Sequence, residues 1–356
     1  MPDKIQVMVN GLPGKMATLV AERVLQEKDM KLFPFSLTGQ DIELSYVDIG
    51  KNGSFVSLVK PMDRETEGKC FYKSFKGIIG VDYIADPSNP NAVNANVEFY
   101  CRNGLNSVVG STGGDRKALE ERAKNSKIVI LPASNMAAPV VALQEFIQDF
   151  ANENPRLFKG YKIETKESHQ EKKSDPSGTA IAISKSWAKL GIEGMPYDVR
   201  DVEAIKSSYP KPLVDRFGNS FRMIRNPEEQ KEIGVPEEFL SGHGWHTYTI
   251  EAPYDQGNNL EHLKHAFSQF FVEGASAFEG YKISNEHPVI GAISPDKNVL
   301  LRMWDTGDDS LEITHNINGR SVYVDGTMQA IRFLDRKVRA GERGKVYSMI
   351  DVLTEV

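Results

Sequence analysis

The stretch Ile5-Gln6-Val7-Met8-Val9-Asn10-Gly11-Leu12-Pro13-Gly14-Lys15-Met16-Ala17 decides how the first half of this chain is read. Ile5 to Val9 is a short apolar run and predicts a strand. Asn10 to Gly14 predicts a turn. Met16, Leu19, Val20, Val24 and Leu25 then recur at close to helical spacing. Strand, glycine turn and helix in that order give the glycines a physical meaning: backbone N–H groups at a helix start can hold a pyrophosphate. The spacing is G-x-P-G-x-x-A, with Pro13 in place of the usual second glycine and Ala17 in place of the last. Proline lacks an N–H, so one donor is missing, although it is tolerated near a first helical turn. The stretch reads as a dinucleotide turn, against the plainer alternative of a structural turn.

Working outward, Leu32 to Leu37 predicts the second strand. NAD sites usually carry an acid after that strand, about 20 residues past the glycine loop. Here Phe35-Ser36-Leu37-Thr38-Gly39 has none, and Asp41 is the nearest. The hydroxyls of Ser36 and Thr38 are expected to accept a 2′-phosphate, which favours NADPH over NADH. Strands at Gly77–Tyr83, Ser107–Val109 and Lys127–Leu131 alternate with helices at Ala92–Cys101 and Arg116–Ala123. Loops Gly110–Gly114 and Pro132–Met136 each follow a strand, and in an open parallel sheet such strand ends converge on one crevice. Gly110, Ser111, Thr112 and Asn135 therefore join Asn10, Gly11, Pro13, Gly14, Lys15 and Met16 as expected cofactor contacts.

Beyond residue 135 the pattern changes. Helices are expected at Ala137–Phe150 and Thr179–Leu190, and strands at Tyr161–Thr165, His246–Glu251 and Leu311–Ile317. The alternating stretches suit an open sheet. A helix at Val324–Leu334 and a short closing segment at Ser348–Val352 follow. The expected fold is α/β: an N-terminal Rossmann dinucleotide-binding domain (1–135, with 324–356 returning to it), and an α+β substrate and oligomerisation domain (136–323) with an open mixed sheet.

The chain has 356 residues, 40% hydrophobic and 26% charged, which are globular values that suit two domains. A net charge of −6 argues against nucleic-acid partners. No apolar run nears the roughly 20 residues of a membrane span. Met1 leads directly into the first strand, so no signal or transit peptide is expected here. Two cysteines, Cys70 and Cys101, fit reduced thiols in a cytosolic-type compartment, or plastid stroma had a leader been removed.

The chemistry is concentrated in Glu167-Ser168-His169-Gln170-Glu171-Lys172-Lys173-Ser174-Asp175-Pro176-Ser177-Gly178-Thr179-Ala180. A histidine and two lysines precede a helix start whose N–H groups at Gly178 and Thr179 suit a carboxylate. His169 can polarise or protonate a nitrogen, and Lys173 can pair with an anion or donate a proton. From spacing alone, a solvated loop with a helix cap remains an equal alternative. The seven histidines show no zinc-like spacing, so no metal is expected. Gly242-His243-Gly244-Trp245-His246 reads as structural or substrate-lining.

This stretch resembles the E-[SAL]-H-[HQ]-x-x-K-x-D-(x)-P-S-G-T-A motif of 4-hydroxy-tetrahydrodipicolinate reductases, after a one-residue deletion before Pro176. Its Ser-His-Gln form is similar to the plant-type branch. Asn10–Met16, Val81-Asp82-Tyr83, Val109–Arg116, Val235–Glu238 with Ser241-Gly242-His243, and Ile317–Tyr323 also match. The resemblance implies hydride transfer from NADPH, with NADH as second choice, to a cyclic dicarboxylate. By it, His169 and Lys173 polarise and protonate the substrate, and Ser177, Gly178 and Thr179 grip a carboxylate. Gln170 lies on the substrate side, where the family often has a second histidine, and Asp82 and Arg320 on the cofactor side. A homo-oligomer, dimer or tetramer, is also implied. Residues 256–309 match nothing in that pattern and are expected to form an added piece. Gln170 and this stretch leave open a related reductase acting on another cyclic imine or keto acid. A non-catalytic NADPH-binding sensor is the reading from a different class.

Overall fold

The computed structural model describes residues 3–50, 53–64, 75, 77–84, 92–111, 114–133, 135–194, 199–253, 258–273, 275–286, 289–307 and 309–355. The chain divides into two compact units, Met1–Ala137 with Tyr323–Val356, and Ala138–Val322.

In the first unit, β1 (Ile5–Asn10) is buried along almost its whole length, as a parallel strand covered on both faces must be. Helix α1 (Lys15–Gln26) buries Ala17, Val20, Ala21 and Val24, a stripe at helical spacing. The expected strand Leu32–Leu37 is two strands. β2 (Met30–Leu32) lies beside β1, whereas β3 (Phe35–Leu37) pairs elsewhere. Pro34 explains the break, because it removes a ladder donor and restricts Phe33 before it. β3 joins β4 (Tyr46–Ile49) and β5 (Ser54–Val59) in a three-stranded side sheet that the sequence reading missed. β6 (Ile78–Asp82), α2 (Ala92–Asn103), β7 (Asn106–Val109), α3 (Arg116–Lys124) and β8 (Val129–Pro132) complete the alternation. The main sheet runs Lys345–Val346, β8, β7, β6, β1, β2, and every pairing in it is parallel. The closing segment is a helix, Met349–Thr354, started by a capping box between Ser348 and Asp351.

The second unit opens with α4 (Ala138–Glu153), β9 (Lys162–His169) and α5 (Gly178–Lys189). β10 (Leu213–Val214), β11 (Ser220–Ile224), β12 (His243–Glu251), β13 (Lys282–Glu286), β14 (Val289–Ile293), β15 (Val299–Gly307) and β16 (Ser310–Asn318) follow. They form an eight-stranded sheet in the order β10-β11-β9-β12-β16-β15-β14-β13. It is mixed: β9 and β11 are parallel, and the other pairings are antiparallel. Residues 256–309 do not stand apart, since β13–β15 continue this same sheet. The helix Asn258–Glu273 brings Phe267, Phe270 and Phe271 against Phe146 and Phe278, with ring centroids 4.8–5.7 Å apart. One sheet face is buried and carries Ile163, Tyr248, Ile250, Leu301 and Ile313. The opposite face holds Lys166, Thr247, Arg302 and an exposed Trp304. Among the described residues, no helix is long and apolar enough to cross a membrane. Cys101 is a free, buried thiol, and Cys70 lies outside the described residues.

Candidate active site

In the first unit the glycine loop is shaped by close approach. Gly11 has φ +99°, and a Cβ there would sit 2.6 Å from the carbonyl carbon and oxygen of Tyr83. Gly14 is the N-cap of α1, with no side-chain cap, and no acid occupies the first turn. The helix therefore presents N–H donors that no side chain satisfies, at a loop where Pro13, Gly14 and Lys15 are exposed and Met16 half-buried. These residues fit a pyrophosphate. Gly110 is equally constrained, since a Cβ there would strike the Tyr83 ring at 2.3 Å. Tyr83 is fixed between these loops by a 2.6 Å hydrogen bond with Thr327, and burial pushes its pKa up to about 12.

Several expected cofactor contacts turn inward instead. Ser36 and Thr38 are buried: Ser36 Oγ accepts from the Leu12 N–H at 3.4 Å, and Thr38 Oγ1 donates to the Leu12 carbonyl at 2.6 Å. Both hydroxyls brace the glycine loop and are not placed to receive a phosphate. Asn10 is buried, its Oδ1 accepting from the Leu37 N–H at 2.9 Å. Asp82 is fully buried and accepts from the Ile84 N–H, the Tyr100 hydroxyl and the Ser111 hydroxyl at 2.7, 2.6 and 2.9 Å. Burial pushes its pKa up against those bonds. Asp82 and Ser111 thus tie two loops together. Asn135 accepts from the Ala137 N–H at 2.9 Å. Thr112 lies outside the described residues.

In the second unit, strand register brings three titratable side chains into one row. Glu167 on β9 lies opposite His246 on β12, which lies opposite His315 on β16. All three are buried, and the His246 and His315 rings stack at 4.2 Å. His169, two residues after Glu167, meets the row at its end, with its ring 5.1 Å from that of His246. Its Nε2 is 3.1 Å from Glu167 Oε2, and its Nδ1 is 3.2 Å from the His243 carbonyl. The other Glu167 oxygen pairs with the buried Arg225 guanidinium at 2.5 Å. Burial alone would raise the Glu167 pKa, but His169 and Arg225 outweigh it and hold the carboxyl below its ordinary value. Burial also depresses His243 to about 4 and His315 to about 3, and takes His246 well below its ordinary value, with the neighbouring cations adding to the effect.

Arg225 does more than pair with Glu167. Its Nε donates to the Lys173 carbonyl at 2.7 Å and its Nη2 to the Asp175 carbonyl at 3.3 Å. Gln230 Nε2 donates to the His169 carbonyl at 2.7 Å. These two residues hold the loop 169–175 in place. At its end Ser177 caps α5, accepting from the Ala180 N–H at 3.4 Å. The Ser177 hydroxyl therefore faces its own helix, and the first-turn N–H groups of Gly178 and Thr179 precede the capped one. Lys173 is half-buried and its ammonium has no partner among the described residues; its charge is felt at His246. Gln170 is exposed. Arg320 is half-buried beside Gly242, where a Cβ would lie 3.3 Å from its Nη1.

Sequence reading missed Arg225, Gln230 and His315. The only hint of Arg225 is a charge directly after the apolar run Phe221–Ile224. Glu167, His169 and His246 each offer a ligand atom, all within 4.8 Å of one another, but the Glu167 charge is already met by Arg225 and His169.

A parallel-sheet unit whose glycine-loop helix start has no side-chain cap, in one chain with a unit carrying a histidine–lysine loop, defines a nicotinamide-nucleotide-dependent oxidoreductase. The family model described as dihydrodipicolinate reductase, N-terminus, matches residues 5–136, and that described as dihydrodipicolinate reductase, C-terminus, matches residues 140–353. The chain belongs to the dihydrodipicolinate reductase family. It is 33% identical over 350 residues to a probable 4-hydroxy-tetrahydrodipicolinate reductase 2, chloroplastic, of Oryza sativa subsp. japonica, covering 98% of this chain and 83% of that protein. It is 31% identical over 357 residues to 4-hydroxy-tetrahydrodipicolinate reductase 2, chloroplastic, of Arabidopsis thaliana, covering 99% and 78%. Coverage that complete takes in residues 256–309. A solved dipicolinate-bound dihydrodipicolinate reductase from Paenisporosarcina sp. TG-14 shares the fold at a TM-score of 0.50, with 14% identity and 97% of both chains covered.

Proposed function

We propose that this protein reduces 4-hydroxy-tetrahydrodipicolinate to tetrahydrodipicolinate in diaminopimelate and lysine biosynthesis, with NADPH as the preferred donor and NADH as the alternative. The observation that carries the reading is the loop from Glu167 to Thr179. It sets the half-buried Lys173 ammonium, the His169 imidazole beside Glu167 and the start of α5 on one short segment. A dianionic ring needs such clustered positive ends. Bound nicotinamide nucleotide supplies the hydride. Gly11, Pro13, Gly14, Lys15 and Met16 would hold its pyrophosphate, and the loops at Gly110 and Asn135 would line the rest.

The Gly178 and Thr179 N–H groups orient one carboxylate, and Lys173 supplies the proton as water is lost. The preference for NADPH is supported by the lack of an acid at the end of β3, where Thr38 and Gly39 stand. Self-association through the polar sheet face, into a dimer or tetramer, and residence in plastid stroma or cytoplasm belong to the same proposal. The plant relatives are named chloroplastic. The test is oxidation of NADPH by freshly generated substrate, with NADH in parallel. Lys173→Ala is expected to lower kcat by roughly 10²–10⁴-fold. Undiminished turnover in that variant removes Lys173 from the chemistry.

A further inference from the structure

We infer that Lys60, just past the end of β5, is the cation that receives the 2′-phosphate of NADPH and so sets the preference for NADPH over NADH. The inference rests on the donor preference proposed above and assigns it to a residue. In a parallel-sheet nucleotide fold the adenosine ribose lies at the strand tip next to the glycine loop. An acid there binds the NAD ribose, and a nearby cation accommodates the extra phosphate. In this chain that tip belongs to β3: the Leu37 carbonyl accepts from the Gly11 N–H at 2.8 Å, so Thr38 and Gly39 leave the strand beside the glycine loop. The hydroxyls at the tip are already used, since Ser36 and Thr38 both bond to Leu12. No acid stands between β3 and Asp41. The space beside Gly39 is open, because a Cβ there would meet no atom within 4 Å.

The register of the side sheet brings a cation to this opening. β3 and β5 run parallel with Leu37 opposite Val59, and the Thr38 N–H donates to the Val59 carbonyl at 3.0 Å. Lys60 therefore leaves β5 alongside Thr38. Gln40 Nε2 lies 3.6 Å from Met62 Sδ, which keeps the segment after β3 against the short 3₁₀ turn Pro61–Asp63 that follows Lys60. Lys60 is half-buried, and among the described residues its ammonium meets no hydrogen-bond or ion-pair partner. Arg64, four residues on, is committed elsewhere. It is buried over the Phe99 ring at 5.6 Å, and it donates from Nη1 to Asn96 Oδ1 at 2.9 Å and from Nη2 to the Thr38 carbonyl at 3.3 Å. Arg64 thus braces the tip from behind, and Lys60 is left to the ligand. An ammonium on a flexible four-carbon stem can meet a phosphate across such an opening. Lys15, the first residue of α1, stands at the pyrophosphate, which both nucleotides share.

The test is equilibrium binding of NADPH and NADH, by calorimetry without substrate, to the full chain and its variants. Lys60→Gln is expected to weaken NADPH roughly 10- to 100-fold, the effect of losing a charged hydrogen bond, and to leave NADH affinity unchanged. Lys60→Arg should keep most of the NADPH affinity. Lys15→Gln should weaken both nucleotides alike. Gly39→Asp, which puts a carboxylate into the open space, should weaken NADPH and spare NADH. Unchanged NADPH affinity in Lys60→Gln overturns the inference, and so does an equal loss of both nucleotides in that variant while it stays folded. A loss confined to NADPH in Lys15→Gln would move the 2′-phosphate to the glycine loop. Full NADPH affinity in Gly39→Asp would remove the ribose from this tip, whether or not the Lys60 variants fold. Wild-type protein that binds NADH as tightly as NADPH overturns the inference as well. Because no substrate is present, failure of the proposed reduction would leave these binding results to decide the role of Lys60.

Discussion

Replacing Arg225 by methionine tests the inner support of the loop most directly. The guanidinium and the Glu167 carboxylate are both buried, with side-chain exposures of 3% and 0%. Methionine keeps much of the volume but leaves a carboxylate in the core with His169 as its remaining partner. Breaking one side of a buried pair costs about 3–5 kcal/mol. The loop also loses the two hydrogen bonds that Arg225 gives to the Lys173 and Asp175 carbonyls, at roughly 1 kcal/mol each. The expected loss is therefore about 5–7 kcal/mol. The Glu167→Gln, Arg225→Met double variant removes both charges, so its loss should fall well short of the sum of the two single losses. Urea unfolding followed by Trp fluorescence measures all four corners of this cycle, since Trp187 is fully buried in the same unit. A loss below about 1 kcal/mol for Arg225→Met, or strict additivity in the cycle, would refute the reasoning.

Gly11→Ala places a Cβ 2.6 Å from the Tyr83 backbone at φ +99°, so nucleotide affinity and melting temperature should both fall, as read by NADPH titration and thermal unfolding; wild-type values in both would contradict the loop geometry. Thr38→Val deletes the 2.6 Å bond to the Leu12 carbonyl and should cost about 1 kcal/mol, leaving the NADPH-to-NADH preference ratio unchanged. A variant that switches the ratio with no loss of stability would restore Thr38 as a phosphate contact. His243 and His315 fold with pKa values lowered to about 4 and about 3, so the unfolded chain binds their protons first as pH falls. Their stability contribution is complete above about 6.5 and is lost as pH drops through 6.5 toward 4 and 3. A shift from 6.5 to about 4 corresponds to roughly 3 kcal/mol. His315→Gln should flatten the acid limb of a stability-versus-pH curve, and an unchanged limb would show that burial is not what depresses this ring.

How far the sequence could be read followed the range of the interactions involved. β1, α1 and the parallel alternation were legible because burial on a sheet or helix face imposes a period on neighbouring residues. The break at Pro34 was visible as a residue but not as a change of sheet, since Phe35–Leu37 finds its partner in Ser54–Val59, a strand with weak signals. The loop 167–180 was legible because its residues are consecutive. Arg225 was not, because it reaches Glu167 across 58 residues, and nothing local marks that meeting. The pairing of His246 with Glu167 and His315 is likewise a matter of register, which only the assembled sheet determines.

A common logic explains which motif side chains turned inward. A loop that must offer backbone N–H groups to an anion cannot satisfy them internally, so it needs support from behind. In the first unit Ser36, Thr38, Asn10 and Asp82 supply it, and the groups left outward are Pro13, Gly14, Lys15 and the first turn of α1. In the second unit Arg225, Gln230 and Ser177 hold the loop, and Lys173 with the start of α5 is left outward. Reading every polar residue of a binding motif as a ligand contact therefore overcounts. The buried hydroxyls and acids fix where the donors point, and substitutions at them should change stability and geometry before they change which anion is chosen. Comparing Thr38→Val with Gly11→Ala separates these effects: the first should leave selectivity intact, and the second should lower nucleotide affinity directly.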